Sequence, residues 1–161
     1  TATWQRYTWK PQRKWNRKGD FILMEKTLVL IKPDAFKAHH IGDIFKIYEE
    51  AGLDVLAVKM LKMDEKLASQ HYVEHIGRPY YDDLVGFMTS GPIIAMVLAG
   101  ENAIANVRKI NGKTNPAEAD AGTIRKLYAS SGSRNAVHAS DSPESAAREI
   151  SLYFSATEIF D

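Results

Sequence analysis

The sequence contains no cysteine, which excludes disulfides, thiolate catalysis and cysteine-ligated zinc together. No apolar run approaches the ~18–20 residues needed to cross a bilayer. The N-terminal stretch does not read as a secretory leader, because its charges alternate with tryptophans and no apolar segment follows them. A cytoplasmic protein is the expectation. Internal repeats and low-complexity segments are also lacking. So are the glycine-rich phosphate loops G-x-x-x-x-G-K-[ST] and G-x-G-x-x-G, and the H-R-D and D-F-G elements. A chain of this kind can hold phosphate only with separate side chains, not with a backbone nest.

What is present fits one compact domain. The chain has 161 residues, 45% hydrophobic and 25% charged, enough to bury an apolar core. Its net charge of +1 hides an asymmetry. Residues 1–23 carry Arg6, Lys10, Arg13, Lys14, Arg17 and Lys18 against Asp20, a net +5, and hold all three tryptophans, Trp4, Trp9 and Trp15. The rest of the chain is acidic, and Met24-Glu25-Lys26-Thr27 reads as a natural start. Residues 1–23 are therefore expected to be an upstream extension without strand or helix periodicity, and residues 24–161 the domain. The alternative function for the extension is a nucleic-acid arm, its cations meeting phosphates and its aromatics stacking on bases.

From Met24 the punctuation is regular. Thr27–Ile31 is a β-prone apolar run closed by the turn residues Lys32-Pro33-Asp34. Ile41, Ile44, Phe45 and Tyr48 recur at helical spacing, and Gly52 supplies a stop. Residues 53–63 suit a second strand. Asp64 is a helix N-cap for a segment carrying Leu67, His71, Tyr72 and His75, and Pro79 opens a further helical stretch. Pro92–Leu98 is a continuous apolar run, read as a strand buried on both faces. Residues 101–110 are helical, residues 111–136 are mainly loop, and a short strand falls within 134–138. Ser142-Pro143-Glu144 starts the last helix with a cap, a first-turn proline and an acid at the positive dipole end. This order predicts an α+β domain of the ferredoxin-like, split βαβ type, its four-stranded sheet containing antiparallel pairs, with helices on one face. A doubly wound parallel sheet is the alternative.

The densest polar cluster, residues 134–142, lies just before that last helix. His138 there sits beside a helix N-terminus, where free amides favour anions. An imidazole with an ordinary pKa of about 6.5 is mostly neutral and nucleophilic at neutral pH. Alone, such a histidine is an ordinary surface or structural residue.

Its surroundings make it specific. Asn135-Ala136-Val137-His138-Ala139-Ser140-Asp141-Ser142 resembles N-x-x-H-G-S-D-[ST], the active-site signature of nucleoside diphosphate kinases. The resemblance covers essentially all of residues 24–161. It includes Ile31-Lys32-Pro33-Asp34, His71-Tyr72, Arg78-Pro79-Tyr80-Tyr81, Met88-Thr89-Ser90-Gly91-Pro92, Thr114-Asn115-Pro116-Ala117 and Gly122-Thr123-Ile124-Arg125, in the family's order and spacing. It implies reversible transfer of a γ-phosphoryl group, usually from ATP, to a nucleoside diphosphate by a ping-pong route through phospho-His138. By the same resemblance Arg108, Arg125 and Thr114 meet the phosphates, and Lys32 and Asn135 the ribose hydroxyl region. Tyr80, at the family's usual phenylalanine, stacks on the base. Tyr72 supports the catalytic histidine, and Glu149 orients it by accepting its other N–H.

Stacking without edge contacts implies broad base tolerance. Mg²⁺ is expected to arrive on the nucleotide's phosphates, since no carboxylate cluster offers a cage. The resemblance also implies a homo-oligomer, a tetramer or hexamer of dimers. His71 and His75 stand four apart, as a helical metal pair would, but the sequence shows no third ligand, and no metal site is expected there. Three stretches depart from the family pattern. Ala139 replaces a glycine, Lys126-Leu127-Tyr128 replaces Gly-Asp-Phe, and Ala38-His39-His40 stands where a basic residue and glycine are common.

Overall fold

The structure, a computed structural model, describes residues 8–161; Trp4 and Arg6 of the basic segment lie outside the described residues. Elements follow in the order β1 (Gln12–Trp15), β2 (Phe21–Ile31), α1 (Pro33–Lys37), α2 (Ile41–Glu50), β3 (Asp54–Lys62), α3 (Glu65–His71), α4 (Tyr81–Met88), β4 (Pro92–Glu101), α5 (Ala103–Asn111), α6 (Ile124–Tyr128), β5 (Val137–Ala139) and α7 (Pro143–Tyr153).

Strand β2 is central. One edge pairs with β4, which pairs in turn with β3. The other edge is shared end to end by β1, at the start of β2, and β5, at its finish. Every pairing is antiparallel, which excludes the doubly wound parallel sheet. With β1 set aside, the order β5-β2-β4-β3 is the ferredoxin-like arrangement.

Helices cover both faces of the sheet, not one as the sequence suggested. Successive strand side chains point to opposite faces. Leu28, Leu30, Ile93, Ala95 and Val97 pack with residues of α3, α4 and α7. Val29, Ile31, Ile94, Met96 and Leu98 pack with α1, α2, α5 and α6 on the opposite side. Because β2 and β4 are apolar at consecutive positions, both faces need a cover, and this gives three layers.

The helix starts obey local chemistry. Asp64 Oδ1 accepts from Leu67 N at 2.7 Å, and Ser142 Oγ accepts from Ser145 N at 3.1 Å with Pro143 in the first turn. The helix expected to run from Leu67 through His75 ends at His71, and His75 falls in a separate 3-10 turn, Val73–His75. The i,i+4 face proposed for those two histidines therefore does not form.

Two elements were not anticipated. Helix α6 sits within the expected loop, capped by Thr123, whose Oγ1 accepts from Lys126 N. Within residues 1–23, β1 forms a hairpin with a β2 that runs unbroken through Met24. Asn16 Oδ1 closes its turn, accepting from Lys18 N and Asp20 N at 2.9 Å each, with Gly19 at φ +83°. All of β1 is exposed, so no burial alternation marks it in the sequence.

Candidate active site

His138 is the middle residue of β5, opposite Leu30. Its neighbours Val137 and Ala139 belong to the core beneath α2 and α5, so alternation turns His138 to the opposite face. There it meets α7 and α3. Its Nε2 contacts Glu149 Oε1, and its ring packs edge-on against His71, 4.5 Å between centroids. A cleft of about 500 Å³ opens onto it, within the size range of small-molecule sites.

Every residue named from the sequence lines this cleft: Lys32, Tyr72, Tyr80, Arg108, Thr114, Arg125, Asn135, His138 and Glu149. They come from widely separated parts of the chain. Lys32 follows the last residue of β2, and its Nζ donates to Asn135 Oδ1 at 2.7 Å. Asn135 Nδ2 donates to the Gly132 and Thr114 carbonyls, which ties the loop before β5 to the loop after α5. Arg125, on α6, donates from its two terminal nitrogens to Gly112 O at 2.7 Å and Val137 O at 2.9 Å. Its Nε is buried with no hydrogen-bond partner among the described residues. Gly112 allows this approach: it has φ +86°, and a Cβ there would lie 2.6 Å from Thr123 Oγ1. The buried Tyr72 hydroxyl also lacks a partner among the described residues.

At the outer end, the half-exposed ring of Tyr80 carries the hydroxyl that a phenylalanine would lack, bonded to His75 Nδ1 at 2.5 Å. Arg134 lies over the Phe87 ring and donates to Asp83 Oδ2 at 2.7 Å, joining the loop before β5 to α4.

The electrostatics keep His138 neutral. Burial lowers its pKa from the ordinary histidine value, and Lys32, Arg125 and Arg108 push it further down, with Asp141 opposing. Burial raises the pKa of Glu149, while His71, Arg148 and a hydrogen bond from Ser140 act the other way. Lys32 is lowered to about 8, first by burial and then by Arg125, against the pull of Asp34. A lowered ammonium pKa means that the cation is lost as pH rises through that value. kcat/KM, which reports the free enzyme, is therefore expected to fall above about pH 8. In kcat the limb should lie at higher pH, since a bound polyphosphate favours the charged form. In Lys32→Arg the limb should disappear from a pH-rate profile.

Three further residues of the site make contacts there although the motif comparison assigned them no role. Asp34 Oδ2 accepts from Ala136 N at 3.0 Å, and Ala136 O accepts from Lys32 N at 2.8 Å. Asp34 thereby holds Ala136 at φ +71°, two residues before His138. Ser140 N donates to Leu28 O at 3.1 Å, and its Oγ accepts from Leu28 N, fastening β5 to β2. His71 is buried beside Glu149, Nε2 to Oε1 3.8 Å, with Nδ1 3.0 Å from the Tyr153 hydroxyl. The signal for His71 was its place beside Tyr72 in a matched block; its nearness to Glu149 and His138 depends on the tertiary fold.

The departures from the family pattern find local accommodation. Ala139 lies in extended β5 paired with Val29, where no glycine is needed. His39 takes the left-handed φ of +64° that glycine would adopt freely. His40 next to it stacks on Tyr128 with centroids 4.2 Å apart, so two of the divergent stretches touch each other. Lys126 and Leu127 face outward on α6 while Arg125 turns inward.

Fold and cleft together describe a class of protein in which a neutral histidine on a ferredoxin-like sheet is ringed by Lys32, Arg108 and Arg125, a setting suited to anionic groups such as phosphate. Comparison with known proteins narrows the class. A family model described as nucleoside diphosphate kinase matches residues 25–159. The nucleoside diphosphate kinase of Listeria welshimeri is 54% identical over 136 residues, covering 84% of this chain and 92% of its own. That of Methanocaldococcus jannaschii is 52% identical over 139 residues, 86% of this chain and 99% of its own. Among solved structures, the Aquifex aeolicus nucleoside diphosphate kinase superposes with a TM-score of 0.83 at 42% identity, covering 84% of this chain and 99% of its own. A halophilic one from Halobacterium salinarum, in complex with CDP, gives 0.83 at 41% identity, over 85% and 91%. The chain belongs to the nucleoside diphosphate kinase family.

Proposed function

We propose that this protein transfers the γ-phosphoryl group of a nucleoside triphosphate, usually ATP, to a nucleoside diphosphate through phospho-His138. The observation that carries the proposal is the engagement of His138. Its Nε2 is held by Glu149, so the neutral ring keeps its lone pair on Nδ1, in a cleft lined by Lys32, Arg108 and Arg125. In the first half-reaction the Nδ1 lone pair attacks the γ-phosphorus, an N–P bond forms, and the bond to the β-phosphate oxygen breaks. The ring gains positive charge as it reacts, and the Glu149 carboxylate facing Nε2 stabilises that charge. In the second half-reaction a terminal oxygen of the acceptor diphosphate takes the group and the N–P bond breaks.

The remaining residues bind and position. Tyr80 supplies a face for the base, Lys32 and Asn135 meet the ribose hydroxyls, and Thr114, Arg108 and Arg125 hold the phosphates. A guanidinium offers paired donors and a permanent charge to phosphate oxygens. Tyr72, with its unpartnered buried hydroxyl, supports the phosphate pocket beside His138. Mg²⁺ fits as an ion borne by the phosphates, where it neutralises their charge. Among the described residues, the one potential metal-binding group in the cleft contains two imidazoles rather than a cage of oxygen donors.

The same proposal makes the enzyme a homo-oligomer, a tetramer or hexamer of dimers. Support comes from β3, the outermost strand of the sheet, whose apolar Val58 and Met60 side chains are 50% and 62% exposed, as an outer strand invites pairing. Residues 24–161 are the working domain and residues 1–23 an extension, in keeping with the extent of the family match. Among the described residues no helix is long and apolar enough to cross a membrane. A cytoplasmic location completes the proposal, since the substrates are the cell's own nucleoside phosphates.

The test separates the half-reactions. Protein incubated with γ-labelled ATP and freed of nucleotide should pass its label to added GDP, CDP or UDP, and initial rates should give parallel double-reciprocal lines. Intersecting lines, with no transfer from the isolated protein, would refute the two-step route.

A further inference from the structure

His71 lies beside the proposed nucleophile, yet phosphoryl transfer as described gives it no task. Its side chain is 1% exposed, and that of Glu149 is 4% exposed. One donor atom from each of His71, His138 and Glu149 lies within 4.8 Å of the other two. We propose that these three residues form a binding site for a borderline divalent transition metal, Zn²⁺ above all, and that its occupancy switches phosphoryl transfer off.

The donor set fits this kind of ion. Two imidazoles and one carboxylate suit Zn²⁺, Cu²⁺ or Ni²⁺, and are a poor match for Mg²⁺ or Ca²⁺, which demand oxygen. Metal–donor lengths of about 2.0–2.2 Å around a tetrahedral ion place donors about 3.3 Å apart. His71 Nε2 and Glu149 Oε1 already stand 3.8 Å apart, so only side-chain adjustment is needed, with the His138–Glu149 contact opening to admit the ion.

Outer contacts hold the set in place. The Tyr153 hydroxyl engages His71 Nδ1 at 3.0 Å, which leaves Nε2 facing Glu149, the arrangement by which ligating histidines are commonly fixed. Arg148 donates to the Gln70 and His71 carbonyls and so ties α7, which carries Glu149, to the end of α3. Lys32, Arg108 and Arg125 bring positive charge near His138. That charge weakens the site and suits it to reversible occupancy rather than a permanent structural ion.

The inhibitory effect follows from the imidazole itself. A neutral ring has one N–H and one lone pair. With Glu149 at Nε2, the proton sits there and the lone pair sits on Nδ1. A metal on Nε2 takes up the lone pair at that nitrogen, so the proton moves to Nδ1 with no net gain or loss. The nucleophilic lone pair then no longer exists. The inhibition rests on His138 as phosphoryl carrier; the binding does not.

The first readout therefore uses no activity. Nucleotide-free protein titrated with Co²⁺ should bind one equivalent and develop tetrahedral visible absorption bands, and Zn²⁺ should displace it. In ¹⁵N imidazole spectra of the wild type, one equivalent of Zn²⁺ should shift Nε2 of both His71 and His138, and the His138 proton should appear on Nδ1. His71→Asn should weaken binding by about tenfold or more, whereas His75→Gln should leave it unchanged. Buffered Zn²⁺ should slow labelling of His138 by Mg-ATP in the wild type and do so much less in His71→Asn, each relative to its own metal-free rate. Unshifted His71 and His138 signals at stoichiometric Zn²⁺ would overturn the site even if His71→Asn fails to fold. Binding without loss of labelling would overturn the switch while leaving phospho-His138 intact.

Discussion

Replacement of His138 by alanine is expected to lower kcat by on the order of 10⁴-fold or more, the scale on which deleting a covalent nucleophile acts. No neighbouring group can take over. The chain has no cysteine, and His71 is buried with its nitrogens turned to Glu149 and the Tyr153 hydroxyl. The two cationic arginines and Lys32 remain in the variant, so nucleotide binding should survive and the loss should fall in kcat rather than in nucleotide affinity. The space left by the ring is the size and shape of free imidazole, which should restore part of the turnover when added. A His138→Ala protein with near wild-type kcat and no response to imidazole would remove the histidine from the chemistry.

The second large effect is expected at Arg125. Its guanidinium joins two parts of the site by donating to Gly112 O and Val137 O, and it adds positive charge next to Lys32 and His138. Two of its five N–H groups are used in this way and the Nε–H is buried, which leaves one N–H on each terminal nitrogen for phosphate oxygens. Arg125→Ala should therefore reduce kcat/KM by about 10²–10³-fold, the usual effect of removing one charge-stabilising donor from a developing transition state. It should also lower stability by about 1–3 kcal/mol for a buried carbonyl left unpaired. Arg125→Lys separates the two effects: it returns the charge but not the fork, so part of the activity should recover while both carbonyls are not satisfied. Steady-state kinetics and thermal denaturation on the same preparations measure both. Wild-type kcat/KM in Arg125→Ala would show that the guanidinium serves the fold alone.

The cleft was legible in the sequence through its resemblance to the family's blocks, in their order and spacing; taken singly, Lys32, Arg108 and Arg125 read as surface charges and His138 as an ordinary histidine. Lys32, Asn135 and His138 each follow or precede an apolar run or a capped helix, and the strand register that joins them, Leu30 opposite His138 and Ile31 opposite Val137, is set by those runs. Less accessible were features governed by long-range contact. The second helical layer follows from consecutive apolar positions in β2 and β4, but which helices cover which face depends on crossovers that no local pattern encodes. Helix α6 has five residues and one capping threonine, too short for a helical period to stand out among the polar residues around it. Strand β1 exists only through its pairing with β2. The partnership of His71 with Glu149 spans 78 positions of chain, and the expected helical pairing with His75 gave way when α3 ended at His71. The stacking of His40 on Tyr128 likewise joins two divergent stretches that look unrelated in the sequence.

The most direct measurement is the phosphoenzyme itself. Wild-type protein mixed with γ-labelled ATP and Mg²⁺, without acceptor, should take up close to one label per chain in an acid-labile, base-stable form, as a phosphoramidate requires. Phosphorus–nitrogen coupling should place it on Nδ1 of His138, and His138→Ala should take up none. Label that survives acid, or that persists at full stoichiometry in His138→Ala, would contradict the account.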